Sequence, residues 1–268
     1  MSDDKPKKLS LIIPVYNQEK IIVSNLENIL KELKKLTYQY EVIVVVDGMN
    51  DSSFDKAKSV KSDSITVVGY KTNKGKGYAV RYGMAKSSGD IIGFMDSGGD
   101  IKEEGLSMLL EHFRWYNADI VVGSKRHPVS KVNYPFFRVI LSFGYQMIIR
   151  ILFGLKIRDT QVGLKLYRRE VLEDVLPRLI VKKFAFDIEI LAVAYHLGYT
   201  RIFEAPVDLD FTGVSSITSK NFRSIVFGTL VDTLAVFYRL RILRYYDNAN
   251  KRKWRFDPEL NFRVNTWT

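Results

Sequence analysis

Two carboxylates, Asp96 and Asp100, bracket Ser-Gly-Gly at the end of an apolar run, "GDIIGFMDSGGD". Glycines at such a strand end leave room for a bulky group to approach the backbone. A hard cation such as Mg2+ uses one or two protein carboxylates, keeps water, and takes its other ligands from substrate phosphates. Asp96 and Asp100 suit that chemistry. Asp100 has a second reading as the cap of a following helix, where Glu103 and Glu104 favour the positive end of the dipole.

A second group lies in "NKGKGYAVRYG", residues 73–83. Gly75 and Gly77 precede a helical stretch, where backbone N–H groups can meet phosphate. The segment lacks the third glycine of a dinucleotide fingerprint and the Gly-Lys-Ser/Thr of a nucleotide-triphosphate loop. Asp47 and Asp51 flank "GMN" after another apolar run, and Asp51 also suits a helix N-cap.

The elements that position these residues follow from periodicity. "LSLIIPVY", "YEVIVVVDG", "SITVVGY", "DIIGFMD" and "ADIVVGS" read as buried strands, with helical stretches at 21–36, 54–60, 77–86 and 104–116 between them. That alternation predicts a mostly parallel α/β sheet covered on both faces. Ligands in such sheets bind beyond the carboxyl ends of the strands. "PVYNQE", "VDGMND", "MDSGGD" and "GSKRH" are thereby gathered on one rim. After residue 128 the order changes to helix, the turn "RDTQVG", the strand "LKLY", the helical "FDIEILAVAYHLG", the strand "TRIFEAPVDL" and a last helix.

The 268 residues carry a formal charge of +11 and 46% hydrophobic residues. The charge favours nucleotide phosphates or an acidic membrane face. No aromatic-basic motif supports a nucleic-acid partner. The absence of cysteine excludes disulfides, thiolate-bound zinc and thiol catalysis. "MSDDKPKK" has no apolar signal core, so secretion is not expected. No window has the roughly 18–20 uninterrupted apolar residues of a membrane span. Residues 134–157, interrupted by Arg138, Gln146 and Arg150, and residues 221–246, interrupted by Arg223, Asp232 and Arg239, are amphipathic. Both fit core-facing helices, and both fit helices lying on a membrane surface. Residues 247–268 are polar and read as an extended tail.

"IPVYNQE", "VVVDGMNDSS", "NKGKGYAVRYGM", "GDIIGFMDSGGD", "DIVVGSKRHP", "RDTQVGLKLYRREVLEDVLP", "FAFDIEILAVAYHLGY" and "IFEAPVDLDF" stand in the order seen in glycosyltransferase family 2. The set, spanning residues 9–245, most resembles the polyprenyl-phosphate sugar synthases, such as dolichol-phosphate mannose and glucose synthases. The resemblance implies a GT-A fold over residues 9–219, including an amphipathic helix near 134–155. A charged arm at 1–8, an amphipathic helix at 220–246 and the tail at 247–268 flank it.

By the same resemblance, Pro14, Tyr16, Glu19, Asp47, Asp51, Gly75 and Gly77 bind the nucleotide. Asp96 matches the first acid of a metal-binding Asp-x-Asp motif, but Gly98 stands where the second is expected. Either Asp100 replaces it or Asp96 serves with water and diphosphate. The "VDG" turn is one residue shorter than the commoner Val-Asp-Asp-Gly. Ser124, Lys125, Arg126 and Arg138 resemble positions that meet the lipid and donor phosphates. Asp159, Thr160 and Gln161 match the turn beneath the sugar, with Lys165, Asp187 and Glu189 nearby. Asp187 has a rival reading as a helix cap.

The implied reaction is inverting transfer of a hexose from GDP-mannose or UDP-glucose to polyprenyl or dolichyl phosphate, with Mg2+ or Mn2+. Mannose is favoured. The implied place is the cytoplasmic face of a membrane, bound peripherally, and a membrane-spanning partner subunit is left open. Asp96, Arg126, Arg138 and Asp187 form the expected catalytic set. A phosphate monoester, with a second pKa near 6, is largely its own nucleophile at neutral pH. A saccharide hydroxyl, the rival acceptor, needs a base, for which Asp187 is the candidate. A catalytically decayed nucleotide-binding module on a membrane is the rival from another class, prompted by Gly98.

Overall fold

The computed structural model describes residues 8–130, 136–182, 185–209 and 222–265. The β-branched runs form strands β1 (Lys8–Val15), β2 (Gln39–Asp47), β3 (Ile65–Tyr70), β4 (Ile91–Met95) and β5 (Ile120–Ser124). Helices α1 (Ile22–Leu33), α2 (Ser53–Ser59), α3 (Lys76–Ala85) and α4 (Glu104–Trp115) alternate with them. The second half adds α5 (Phe136–Phe153), β6 (Leu164–Arg168), α6 (Arg169–Val175), α7 (Phe186–His196), β7 (Ile202–Pro206) and α8 (Phe222–Arg241), and a hairpin of β8 (Trp254–Asp257) and β9 (Phe262–Asn265) closes it.

Seven strands join in the order β3-β2-β1-β4-β6-β5-β7. All run parallel except β6, which is antiparallel to both β4 and β5. Period-two alternation divides the interior into two layers. Leu9, Leu11, Ile13 and Val15 of β1 face α1 and α4, whereas Ile12 faces α3 and α7. Helix α1 shows how the sequence fixes this packing. Its Ile22, Leu26, Ile29 and Leu33 recur at helical spacing and are all buried. Each such side chain contributes roughly 1.5–3 kcal/mol by leaving water.

At the amino end of the sheet, Glu41 ties three segments together. Its carboxylate accepts bonds from Ser10 Oγ at 2.5 Å, Ser88 N at 2.7 Å and Lys8 Nζ at 3.0 Å. Burial alone would raise its pKa, but these donors bring it down from 4.5 to about 2. A depressed carboxyl stabilises the fold above its unfolded pKa and loses that contribution as pH falls toward the folded value. Glu41→Gln is therefore expected to cost about 1–2 kcal/mol at pH 7, after discounting for partial exposure. The difference from the unsubstituted chain shrinks as pH falls from 4.5 toward 2, which urea unfolding at stepped pH measures.

Helices α5 and α8 lie side by side. Tyr145 and Thr233 share a 2.7 Å hydrogen bond, and the rings of Phe153 and Phe237 meet edge-on at 6.2 Å. Ile149, Phe153, Val236 and Leu240 are buried beneath them. On the outer side Phe143, Met147 and Ile151 of α5, with Phe227 and Val231 of α8, are exposed. Among the described residues no helix is long and apolar enough to cross a membrane.

The expected extended tail is instead folded. Residues 248–253 form a 3-10 turn that leads into β8 and β9. Arg178, 1% exposed, donates to Tyr246 O at 2.8 Å and stacks on the Trp254 ring at 4.9 Å. Tyr245 Oη reaches Asn265 O at 3.1 Å. The aromatic residues scattered through this polar stretch supply apolar area that periodicity does not reveal.

Candidate active site

Antiparallel β6 sets the geometry of the site. Its first residue, Leu164, pairs with Met95, so the turn before it reaches the carboxyl edge of β4. There Asp96 N–H donates to Gly163 O at 2.8 Å. A Cβ on Gly163 would lie only 2.0 Å from Asp96 Oδ2. Gly163→Ala must therefore displace the Asp96 carboxylate or the β6 turn. We expect about a 100-fold loss in kcat/KM for any reaction that uses the Asp96 carboxylate, since small misplacements of a reacting group cost that much. Steady-state kinetics with thermal unfolding of the same sample checks this.

The Asp96 carboxylate is gripped by Lys76, whose Nζ lies 2.8 Å from Oδ1 and 3.1 Å from Oδ2. The same ammonium is 3.6 Å from Asp187 Oδ2. Asp187 Oδ1 accepts from Lys165 Nζ at 2.7 Å, and Lys165 also donates to Val162 O at 2.6 Å. Side-chain exposure falls from 41% at Asp96 through 21% at Lys76 and 5% at Asp187 to zero at Lys165. A chain of alternating charges thus runs from rim to core. Burial opposes the Lys76 ammonium, but Asp187 and Asp96 together hold its pKa above the ordinary value. Burial lowers the Lys165 pKa, with Asp187 opposing. Burial would raise the Asp187 carboxyl, yet Lys165 and Lys76 hold it below its ordinary value. Asp187 stands behind Lys76 as a poor proton acceptor, and its place at the start of α7 does not make it a simple cap.

Lys76 was passed over between the two glycines read from the sequence. The signal was its place, directly after one glycine and before the other, as the first residue of α3. Gly75 has φ +96, a left-handed conformation that favours glycine. Its N–H and that of Lys74 donate to Asp47 at 2.9 and 2.6 Å. Asp47 is 3% exposed, and its carboxylate shapes the glycine turn. Gly77 N–H donates to Lys182 O at 2.9 Å, and a Cβ there would meet the Phe186 side chain at 2.6 Å. The folded tail reaches this turn as well, through a 2.6 Å ion pair between Glu259 and Lys74.

The loops after β1 and β2 are clipped together. Glu19 N–H donates to Asp51 at 3.2 Å, Ser52 N–H returns a bond to Glu19 at 3.2 Å, and Asp51 also accepts from Ser53 N at the start of α2. Pro14 is buried in β1 beyond its last pair with β4, where only the β2 side is bonded. Tyr16 follows, 43% exposed.

On the other side of Asp96, Ser124 is buried and its Oγ accepts from Arg126 N at 3.3 Å. Asp159 accepts from Lys125 N and Gln161 N, each at 3.2 Å, and Thr160 Oγ1 meets Gln146 at 3.5 Å. Arg126 lies over the exposed Phe143 ring at 6.0 Å. Arg138 falls on α5, and its side chain lies outside the described residues. Glu189 departs from the expected sugar contact. It is fully buried and accepts from Ile180 N, Val181 N and Tyr246 Oη at 2.8–3.0 Å. Burial raises its pKa. It faces the core, two residues beyond Asp187 on α7, and fastens the α8 end to the loop before α7.

Among the described residues no group of three or more His, Asp or Glu side chains converges as a metal cage. Asp96 is a single carboxylate at the rim, and a Cβ at Gly98 would meet only Asp100 Oδ2, at 3.7 Å. This donor set fits a cation that draws its remaining ligands from a diphosphate and water. Asp96 would hold it, with Asp100 the adjoining acid.

The profile of "Glycosyl transferase family 2" matches residues 10–176. The chain is 34% identical over 211 residues to the human dolichyl-phosphate beta-glucosyltransferase and 32% over 213 residues to that of Drosophila melanogaster. These alignments cover 72% and 74% of this chain but 64% and 65% of those proteins, so the chain spans less than two thirds of their length. A dolichyl-phosphate beta-glucosyltransferase of Trichomonas vaginalis is 30% identical over 254 residues, 90% of this chain and 77% of that protein. Among solved structures, glucosyl-3-phosphoglycerate synthase of Mycobacterium tuberculosis, bound to Mn2+, UDP and glucosyl-3-phosphoglycerate, superposes with TM-score 0.66 at 19% identity. The superposition covers 86% of this chain and 80% of that one. The architecture is the GT-A fold, and the chain belongs to glycosyltransferase family 2.

Proposed function

We propose that this protein transfers glucose from a nucleoside-diphosphate glucose to dolichyl phosphate at a membrane surface, inverting the anomeric centre. The relatives' names turn the preference from mannose to glucose. The carrying observation is Arg126 over Phe143, which joins the cationic rim of the site to the exposed apolar face of α5 and α8. A lipid phosphate needs both features at once, a cation for its head and an apolar surface for the chain.

The acceptor phosphate is its own nucleophile, so the weak basicity of Asp187 is no obstacle. Lys125 and Arg126 orient that phosphate, a role the family resemblance also implies for Arg138. Asp47 fixes the glycine turn that starts α3 and so sets the position of Lys76. Lys76 places a positive charge where the leaving diphosphate gains negative charge. A divalent cation at Asp96 would add further stabilisation to that leaving group.

The test incubates the purified chain with dolichyl phosphate, Mg2+ or Mn2+, and labelled UDP-glucose, GDP-mannose and UDP-N-acetylglucosamine. Glucose label entering the organic phase supports the reading. Label in a soluble saccharide, or in lipid from GDP-mannose alone, overturns it. The membrane contact has its own readout. Ile151→Glu with Phe227→Glu is expected to weaken co-sedimentation with anionic vesicles by at least about tenfold, because both leave a charge on the apolar face.

A further inference from the structure

Both oxygens of Asp96 face the Lys76 ammonium, at 2.8 and 3.1 Å. The cluster of Asp96, Lys76, Asp187 and Lys165 carries two positive and two negative charges. A divalent ion arriving alone would place its charge beside an ammonium on one shared carboxylate, with Gly98 withholding a second acid. A diphosphate changes the balance. It brings several negative charges and further oxygen ligands, and it offers the ammonium another acceptor. Lys76 is placed for that exchange as the first residue of α3, with its ammonium at the carboxyl edge of the sheet beside Asp96.

We propose that Lys76 is a resident counter-cation of Asp96, which keeps divalent metal off that carboxylate until a nucleoside diphosphate arrives. Metal and nucleotide then bind as one unit. The inference rests on Asp96 being the cation ligand, as proposed above. Asp187 has a part in it, since at 3.6 Å it anchors the lysine and keeps its excursion short.

The experiment is titration of the full chain with Mn2+, following free Mn2+ by electron paramagnetic resonance, with and without UDP and corrected for Mn2+ bound by UDP itself. In the unsubstituted chain, apparent Mn2+ affinity is expected to be at least about tenfold higher with UDP than without. Lys76→Met should raise the UDP-free affinity by at least about tenfold, and Lys76→Arg should keep the original pattern. Adding Asp96→Asn to Lys76→Met should abolish the gain. Equal Mn2+ affinity with and without UDP in the unsubstituted chain overturns the inference while leaving Asp96 as the metal ligand. An unchanged UDP-free affinity in a folded Lys76→Met chain also overturns it. No Mn2+ binding even with UDP overturns both this inference and the reading of Asp96. Were Lys76→Met to misfold, Lys76→Gln is read in its place, with the same outcomes for and against.

Discussion

Asp96→Asn is expected to lower kcat/KM for the proposed glucose transfer to dolichyl phosphate by about 1,000-fold, the scale seen when a preorganised charge at a leaving group is removed. The substitution keeps the backbone bond to Gly163 O, because that bond uses the main-chain N–H. It removes the charge that faces Lys76 and, by our reading, the cation ligand. With its side chain 41% exposed, Asp96 contributes little to the core, so unfolding free energy should shift by less than about 1 kcal/mol. Activity and stability measured on one preparation separate the two effects. A loss below about threefold would remove Asp96 from the site.

Asp187→Ala carries the largest expected cost in stability. Lys165 has no exposed side-chain area and two acceptors, Asp187 and the Val162 carbonyl. Removing the carboxylate leaves a buried ammonium with the carbonyl alone, which costs about 3–5 kcal/mol. Lys165→Met combined with Asp187→Ala removes both charges and should restore much of the loss, leaving about 1–2 kcal/mol for the packing defect. Urea unfolding of the single and double variants measures the coupling. Non-coupling would mean that the pair is not held as a buried ion pair. The pH profile gives an independent reading. Because Asp187 is held below its ordinary pKa, the proposed activity should track the acceptor phosphate we assign, near pH 6, rather than a raised carboxyl.

Much of the scaffold was legible because strand and helix patterns are local. The apolar runs of β1, β2, β4 and β5 end in "PVYNQE", "VDGMND", "MDSGGD" and "GSKRH", and the structure has these ends on one edge. Asp96 was legible for the same reason, as the acid that ends a buried run. The roles of its neighbours were less so. The family resemblance implies nucleotide contact for Asp47 and sugar contact for Glu189. The partners that claim them are Lys74 and Gly75 for the first, and Tyr246 with the 180–181 backbone for the second. The tail was misread because its few aromatic residues have no period, and only Arg178 and the far end of the chain give them something to pack on.

By itself the sequence determined the alternating elements, the edge that gathers the polar strand ends, and the family order of motifs, since each depends on residues a few positions apart. The tertiary structure decided what that edge does. Inserting β6 antiparallel between β4 and β5 carries Gly163 to Asp96, and closing α3 onto the sheet sets Lys76 between Asp96 and Asp187. These pairings join residues 20 to more than 100 positions apart in the chain. Their energies come from burial and charge in a shared low-dielectric interior, which exists only once the layers have closed.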